Sequence, residues 1–248
     1  MNRFFAEISY DGTLYHGWQS QPNAHTVQEE IELKLGQLFG LKKIDITGCG
    51  RTDTGVHASQ YFFHFDTSEL PFDESTLSSK LNKMLPFDIT VHRIFSVPNE
   101  AHARFNATAR TYKYSIHQKK NPFNRFYSWH NPSEFDVQKM NESCTVLFKH
   151  KDFTSFSKLN SGAKTNTCQI TQAKWEIENN NLIFTITADR FLRNMVRAIV
   201  GTLLQVGRGK ININEMENII LSKNRCDAGE SVPAHGLTLH KIEYPFID

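Results

Sequence analysis

The sequence predicts a mixed α/β fold of the α+β kind, built as two ferredoxin-like, RRM-like halves. Three observations carry this. Residues 3–95 read strand, helix, strand, strand, helix, strand. A similar order follows a junction near residues 98–108. Period-two alternation changes repeatedly to three-and-four spacing, and each switch marks a new element. The order in the first half is the split βαβ arrangement that RNA-recognition modules also use. We place the halves at residues 1–107 and 108–248.

Residues 3–10 alternate, with Phe4, Ala6, Ile8 and Tyr10 on one face and Arg3, Glu7 and Ser9 on the other. That pattern is a half-buried strand ending at the Asp11-Gly12 turn signal. The aromatic, polar loop that follows, with Tyr15, His16, Trp18 and Gln19, suits base stacking and loop packing equally. Thr26 with Glu29 reads as a capping box. Val27, Ile31, Leu35 and Leu38 then form a helical stripe that Gly40 stops. Residues 42–47 are expected to be a short strand leading into the glycine-rich loop 48–58. Residues 60–66 alternate again, with Tyr61, Phe63 and Phe65 on one side. Leu77, Leu81 and Met84 mark a second helix, and residues 89–95 another strand.

In the second half, residues 111–117 form a strand with Tyr112, Tyr114 and Ile116 on one face. Val137, Met140, Cys144 and Leu147 make a helix. Residues 168–177 and 182–188 pair across Asn179-Asn180-Asn181, a turn that tolerates left-handed backbone. A long helix is expected over 191–206, then a closing strand over 237–244.

Hydrophobic residues at 39% and charged residues at 22% suit a soluble globular chain with a sizeable core. A net charge of +2 neither demands nor excludes a nucleic-acid partner, so cations must be gathered locally if there is one. Cys49, Cys144, Cys168 and Cys226 form no Cys-x-x-Cys pair, which argues against a zinc site or disulfide framework. Inert packing is the expected role of Cys49. The charge at Arg3 comes too early for a signal peptide, and no apolar run spans a bilayer. The expectation is a cytoplasmic protein without membrane contact.

The chemistry-bearing stretch is Gly48-Cys49-Gly50-Arg51-Thr52-Asp53-Thr54-Gly55-Val56-His57-Ala58. It lacks the Gly-Lys-Ser/Thr of a phosphate loop, and Gly55 comes too late for a dinucleotide fingerprint. His57, His64 and Asp66 match no common zinc spacing. Asp53 is thus either a nucleophilic carboxylate or the acceptor of an Asx-type turn. Arg51 is a candidate for handling an anionic polymer. Tyr112 and Tyr114, flanked by Arg110 and Lys113, fit a strand that grips single-stranded RNA or an ordinary core strand with a basic face. Arg190, Arg193, Asn194 and Arg197 are spaced to share one helix face. Such a face is usually solvated, although one of these arginines could keep a nearby carboxylate ionised.

Taken together these motifs resemble the tRNA pseudouridine synthase A family. The resemblance runs through Tyr10-Asp11-Gly12, Tyr15-His16-Gly17-Trp18-Gln19, Thr26-Val27-Gln28, the loop from Gly50 to His57, Gln60, His64-Phe65, His102-Ala103-Arg104-Phe105 and Arg110-Thr111-Tyr112-Lys113-Tyr114. It continues through Asp152-Phe153-Thr154-Ser155-Phe156, Phe191-Leu192-Arg193-Asn194-Met195-Val196-Arg197 and Gly236-Leu237-Thr238-Leu239, and so covers nearly the whole chain. Thr54 stands where the family more often has Ala, and Asn194 where His is frequent. The resemblance implies a pseudouridine synthase fold, with both halves contributing to one mainly antiparallel sheet that has helices on one side. It implies isomerisation of uridine at positions 38, 39 and/or 40 of the tRNA anticodon stem-loop, with Asp53 as the nucleophile. Tyr112 would line the uridine pocket, Arg51 would engage RNA and extrude the base, Arg197 would pair with Asp53, and Leu237 or Leu239 would supply apolar wall. A homodimer with no cofactor and no metal is also implied. A non-catalytic RNA-binding module and a metal-dependent hydrolase are the rival readings.

Overall fold

A computed structural model of the chain describes residues 1–159, 162 and 164–247. Two compact units emerge: Met1–Thr108 with Leu239–Asp248, and Ala109–Thr238. Both are mixed α/β, with mainly antiparallel sheets.

The first unit runs β1 (Asn2–Tyr10), α1 (Val27–Leu38), β2 (Thr47–Gly48), β3 (His57–Thr67), α2 (Glu74–Met84) and β4 (Ile89–Val97). β1 lies between β4 and β3, and the short β2 pairs with the far edge of β3. That is the ferredoxin-like order. Alternation gives β1 its buried face, but Phe5 on the other face is buried too. Tyr244 and Phe246 lie edge-on to its ring, at 5.6 and 5.7 Å. The Tyr244 hydroxyl donates to the Ala103 carbonyl. The closing segment therefore covers part of the face that alternation assigns to solvent. It belongs to β9 (Leu237–Glu243) and the turn beyond, and Ile242 N donates to Gln60 Oε1 at 2.9 Å.

Thr26 caps α1 by accepting from Glu29 N at 3.4 Å, but the reciprocal Glu29 bond of a capping box is not made. Gly40 ends the helix at a φ of 67°. The strand expected over 42–47 shrinks to the two residues of β2. The preceding segment lies along α1 instead. Leu41 N donates to Gly36 O, Ile44 N to Glu32 O, and Ile46 N to the Glu32 carboxylate. Gly36 permits this approach, since a Cβ there would sit 2.4 Å from Lys43 Cα.

The second unit contains β5 (Ala109–His117), β6 (Trp129–His130), α3 (Val137–Leu147), β7 (Ile170–Glu178), β8 (Asn181–Ala188), α4 (Met195–Gly207) and α5 (Ile213–Ser222). β8 lies between β5 and β7, and α3 packs on β7 and against α4 and α5. Asn179 and Asn180 turn the β7–β8 hairpin at φ 49° and 64°, as their side chains allow. The long helix expected over 191–206 starts only at Met195. Asn194, at a φ of 68°, is left-handed, so residues 191–194 cannot continue the helix backwards. Arg190 and Arg193 therefore lie off the helix, and the four-residue polar face does not form. α5 and β6 were not evident from the pattern. None of the helices among the described residues is long and apolar enough to cross a membrane.

Candidate active site

The glycine-rich loop is held by its neighbours on both flanks. On the β2 side, Cys49 N donates to Phe62 O at 2.8 Å and the Tyr61 hydroxyl donates to the Gly50 carbonyl. Tyr61 packs against Trp18, the rings tilted by 30° with centroids 4.1 Å apart, and Tyr10 meets it at 5.6 Å. Gly48 has to be glycine, because a Cβ would meet the Tyr61 hydroxyl at 2.2 Å and Trp18 Nε1 at 2.5 Å. Burial of its hydroxyl pushes the Tyr61 pKa well up, so it stays a neutral donor. Thr52 is buried, with Oγ1 2.9 Å from the Tyr10 hydroxyl. The carbonyl of Thr52 accepts from Trp18 N.

Asp53 opens a tight turn closed by Val56 N to Asp53 O at 3.1 Å. Gly55, at a φ of 75°, takes the position where such a turn needs positive φ. Gly55 N is anchored to Tyr15 O, and Gly12 presses against the Val56 carbonyl. His57 Nδ1 lies 3.1 Å from Gly12 N and 3.0 Å from Asp11 Oδ1, so the imidazole ties the Asp11-Gly12 turn to the loop. His64 Nδ1 accepts from Ala103 N. Both histidines thus brace backbone. Asp53 is half-buried on a turn fixed at both ends. This geometry suits a positioned carboxylate.

Arg51 is exposed on this loop and, with Arg104, lines a cavity of about 220 Å³ whose walls include Trp18, Gln19, Gln28 and Thr47. In sequence Arg104 stands in the His102-Ala103-Arg104-Phe105 motif, among the cations around residues 104–125 that are candidates for phosphate contacts. Alternation places Tyr61 with Phe63 and Phe65 on one strand face and says nothing of its hydroxyl. The signal available for Tyr61 was one hydroxyl in an otherwise apolar aromatic run, Tyr61-Phe62-Phe63, since a buried tyrosine needs a partner.

In the second unit, Tyr112 is half-buried on β5, edge-on to Phe191 with centroids 5.2 Å apart. Tyr114 shares its face but is fully buried, and its hydroxyl donates to Pro233 O at 2.9 Å. Burial drives its pKa far above the ordinary tyrosine value. The expected aromatic pair thus resolves into one accessible ring and one core ring. Arg197, in the first turn of α4, is half-buried and donates from Nε to Val232 O at 2.7 Å. Val232 N donates back to Arg197 O. Arg190 is engaged elsewhere, with Nη1 3.0 Å from Thr165 Oγ1. Leu237 and Leu239 are both buried.

Residues 6–106 and 150–245 match the family model described as tRNA pseudouridine synthase. With the mixed α/β fold and the Asp53 loop already in place, the chain belongs to the tRNA pseudouridine synthase family and is an isomerase. It is similar over its length to individual members of that family. The tRNA pseudouridine synthase A of Bacteroides fragilis is 52% identical over 248 residues, covering 99% of this chain and 97% of that protein. The protein of the same name from Parabacteroides distasonis is 52% identical with the same coverage. That of Bacillus licheniformis is 40% identical, covering 98% and 99%.

Proposed function

We propose that the chain converts uridine to pseudouridine at positions 38, 39 and/or 40 of the tRNA anticodon stem-loop, with Asp53 as the nucleophile. The observation carrying this reading is the turn that presents Asp53: Thr52 is buried before it, Gly55 is held by Tyr15 after it, and the backbone that carries the carboxylate is anchored on both sides. The reaction breaks the bond from ribose C1′ to uracil N1. Asp53 attacks C1′, as the nucleophile does in retaining glycoside hydrolysis. The freed uracil turns, C5 joins C1′ while the carboxylate leaves, and the C5 proton is lost as N1 gains one. Atoms and oxidation state balance, so the chemistry calls for no electron or group carrier.

The remaining roles follow from side-chain type. Tyr112 stacks on the uracil and holds it through rotation. Arg51 engages the RNA and helps draw the base from its stack, which costs a few kcal/mol or so. Arg197 is the cation that keeps Asp53 ionised. Leu237 supplies apolar wall. The protein acts on tRNA as a homodimer.

Unmodified tRNA incubated with wild type or Asp53→Ala, followed by pseudouridine mapping, tests the reading. Product should appear only with the wild type. Folded wild-type protein that yields none would leave an RNA-binding module. Arg197→Ala should cripple turnover and leave tRNA affinity largely intact. Affinity lost in proportion would make Arg197 a phosphate contact.

A further inference from the structure

We propose that the cavity beside the catalytic loop seats one backbone phosphate of the substrate RNA, gripped jointly by Arg51 and Arg104. The proposal rests on the RNA-modifying reading above. Among the described residues no carboxylate lines the cavity. The nearby acid, Glu32, is occupied: its carboxylate accepts from Gln28 Nε2 at 2.8 Å and Ile46 N at 3.3 Å, with Lys43 Nζ at 3.7 Å. Gln28 in turn accepts from Gln19 Nε2 and Ser20 N, which fixes the polar wall. Arg51 and Arg104 thus both line a cleft with no carboxylate among its described lining residues, and paired guanidinium forks match phosphate oxygens.

The walls favour a phosphate over a base. Trp18, the aromatic lining residue, is 1% exposed and packed against Tyr61, so it offers no stacking face. Gly50, by contrast, has nothing within 4 Å of where a Cβ would stand, so a polymer backbone can come up to the main chain.

Arg104 stands on a braced turn. Asn106 N donates to His102 O and His102 N to Asn106 Oδ1, while His102 Nδ1 accepts from Arg104 N at 3.1 Å. Beneath it, Ala103 N is held by His64, and Ala103 O by the Tyr244 hydroxyl. Arg51 is two residues before Asp53, within about 8 Å along the chain at ~3.8 Å per step. A phosphate held there belongs to the target nucleotide or its immediate neighbour.

The test uses the full chain carrying Asp53→Asn, so that binding is read without turnover. The ligands are anticodon stem-loop RNAs, each with one uncharged methylphosphonate linkage near the target. Arg104→Ala should weaken binding roughly 10- to 100-fold, the usual range for a charged hydrogen bond, and lower the salt slope by about 1. A single linkage should reproduce that loss in the parent and cost nothing further in Arg104→Ala. Arg51→Ala should be non-additive with both. Arg104→Gln, which keeps the stem of the side chain, should behave as the alanine variant does. If every linkage costs the same with and without Arg104, or the salt slope does not move, the shared seat is refuted. Wild-type product from unmodified RNA, assayed alongside, separates the readings. Product without coupling sinks only the phosphate seat, and no product sinks the functional reading beneath it.

Discussion

Replacing Gly17 with alanine tests how the catalytic turn is held in place. Gly17 has a φ of 88°, and a Cβ there would lie 2.4 Å from the Thr52 carbonyl oxygen. Thr52 is the residue before Asp53. A side chain in left-handed backbone costs roughly 1–2 kcal/mol. Restoring contact distance then requires the Thr52 carbonyl to move about 1 Å, which loosens the Trp18 N to Thr52 O hydrogen bond, worth about 1 kcal/mol. The expected destabilisation is about 2–3 kcal/mol, a melting decrease of roughly 4–12 °C for a chain of this size. Activity should fall further than stability explains, because a displacement of about 1 Å at a reacting group can cost on the order of a hundredfold. The assay pairs thermal unfolding with kcat/KM on unmodified tRNA below the transition. Gly50→Ala is the control, since its Cβ meets open space and its melting temperature should stay put. If Gly17→Ala matched Gly50→Ala in melting and the wild type in turnover, Gly17 would not brace the loop.

Three further outcomes are expected. Tyr61→Phe leaves the Gly50 carbonyl without its donor and should lower stability by about 1–3 kcal/mol, read by denaturant unfolding. His64, lowered to about 4 mainly by burial and then by Arg3, stays neutral when folded. Because the unfolded chain binds that proton first, stability should fall as pH drops from about 6.5 to about 4 and level off below, by up to about 3 kcal/mol for this group. His64→Gln should flatten that window in a pH series, and an unchanged profile would exclude His64 as its source. Asn194→Ala should destabilise by about 1 kcal/mol or more, since it places an alanine at φ 68° and removes the bond to Ser231 Oγ. Asn194→Gly should lose less, and a reversed order in thermal melts would rule out backbone strain there.

Much of the fold was legible because alternation and helical spacing are local signals. The strand β1, the α1 stripe ending at Gly40 and the Asn179-Asn180 hairpin all follow from residues a few positions apart. The misses have physical reasons. Ile44 and Ile46 look like strand residues, but their amides bond to Glu32 on a helix, a partner no alternation pattern encodes. Residues 191–194 have helical spacing, yet Asn194 adopts left-handed backbone and resets the start. Phe5 reads as a solvent-side position until Tyr244 and Phe246 cover it. At the candidate site, the loop 48–58 stood out because glycines, a cation and an acid crowd together. The pairing of Arg104 with Arg51 is not legible there, because the two share a cavity wall across more than fifty residues of chain.

The return of the closing strand to the first unit also bears on how the protein is made. Ribosomal synthesis proceeds from the N-terminus, so β1, β3 and β4 emerge long before residues 239–247 exist. Until then Phe5 and Phe62 lack the aromatic cover that Tyr244 and Phe246 provide. The first unit, synthesised first, is thus the one completed last. In the interval its nascent sheet presents a sticky face, a natural target for holding chaperones and for premature aggregation when translation stalls late.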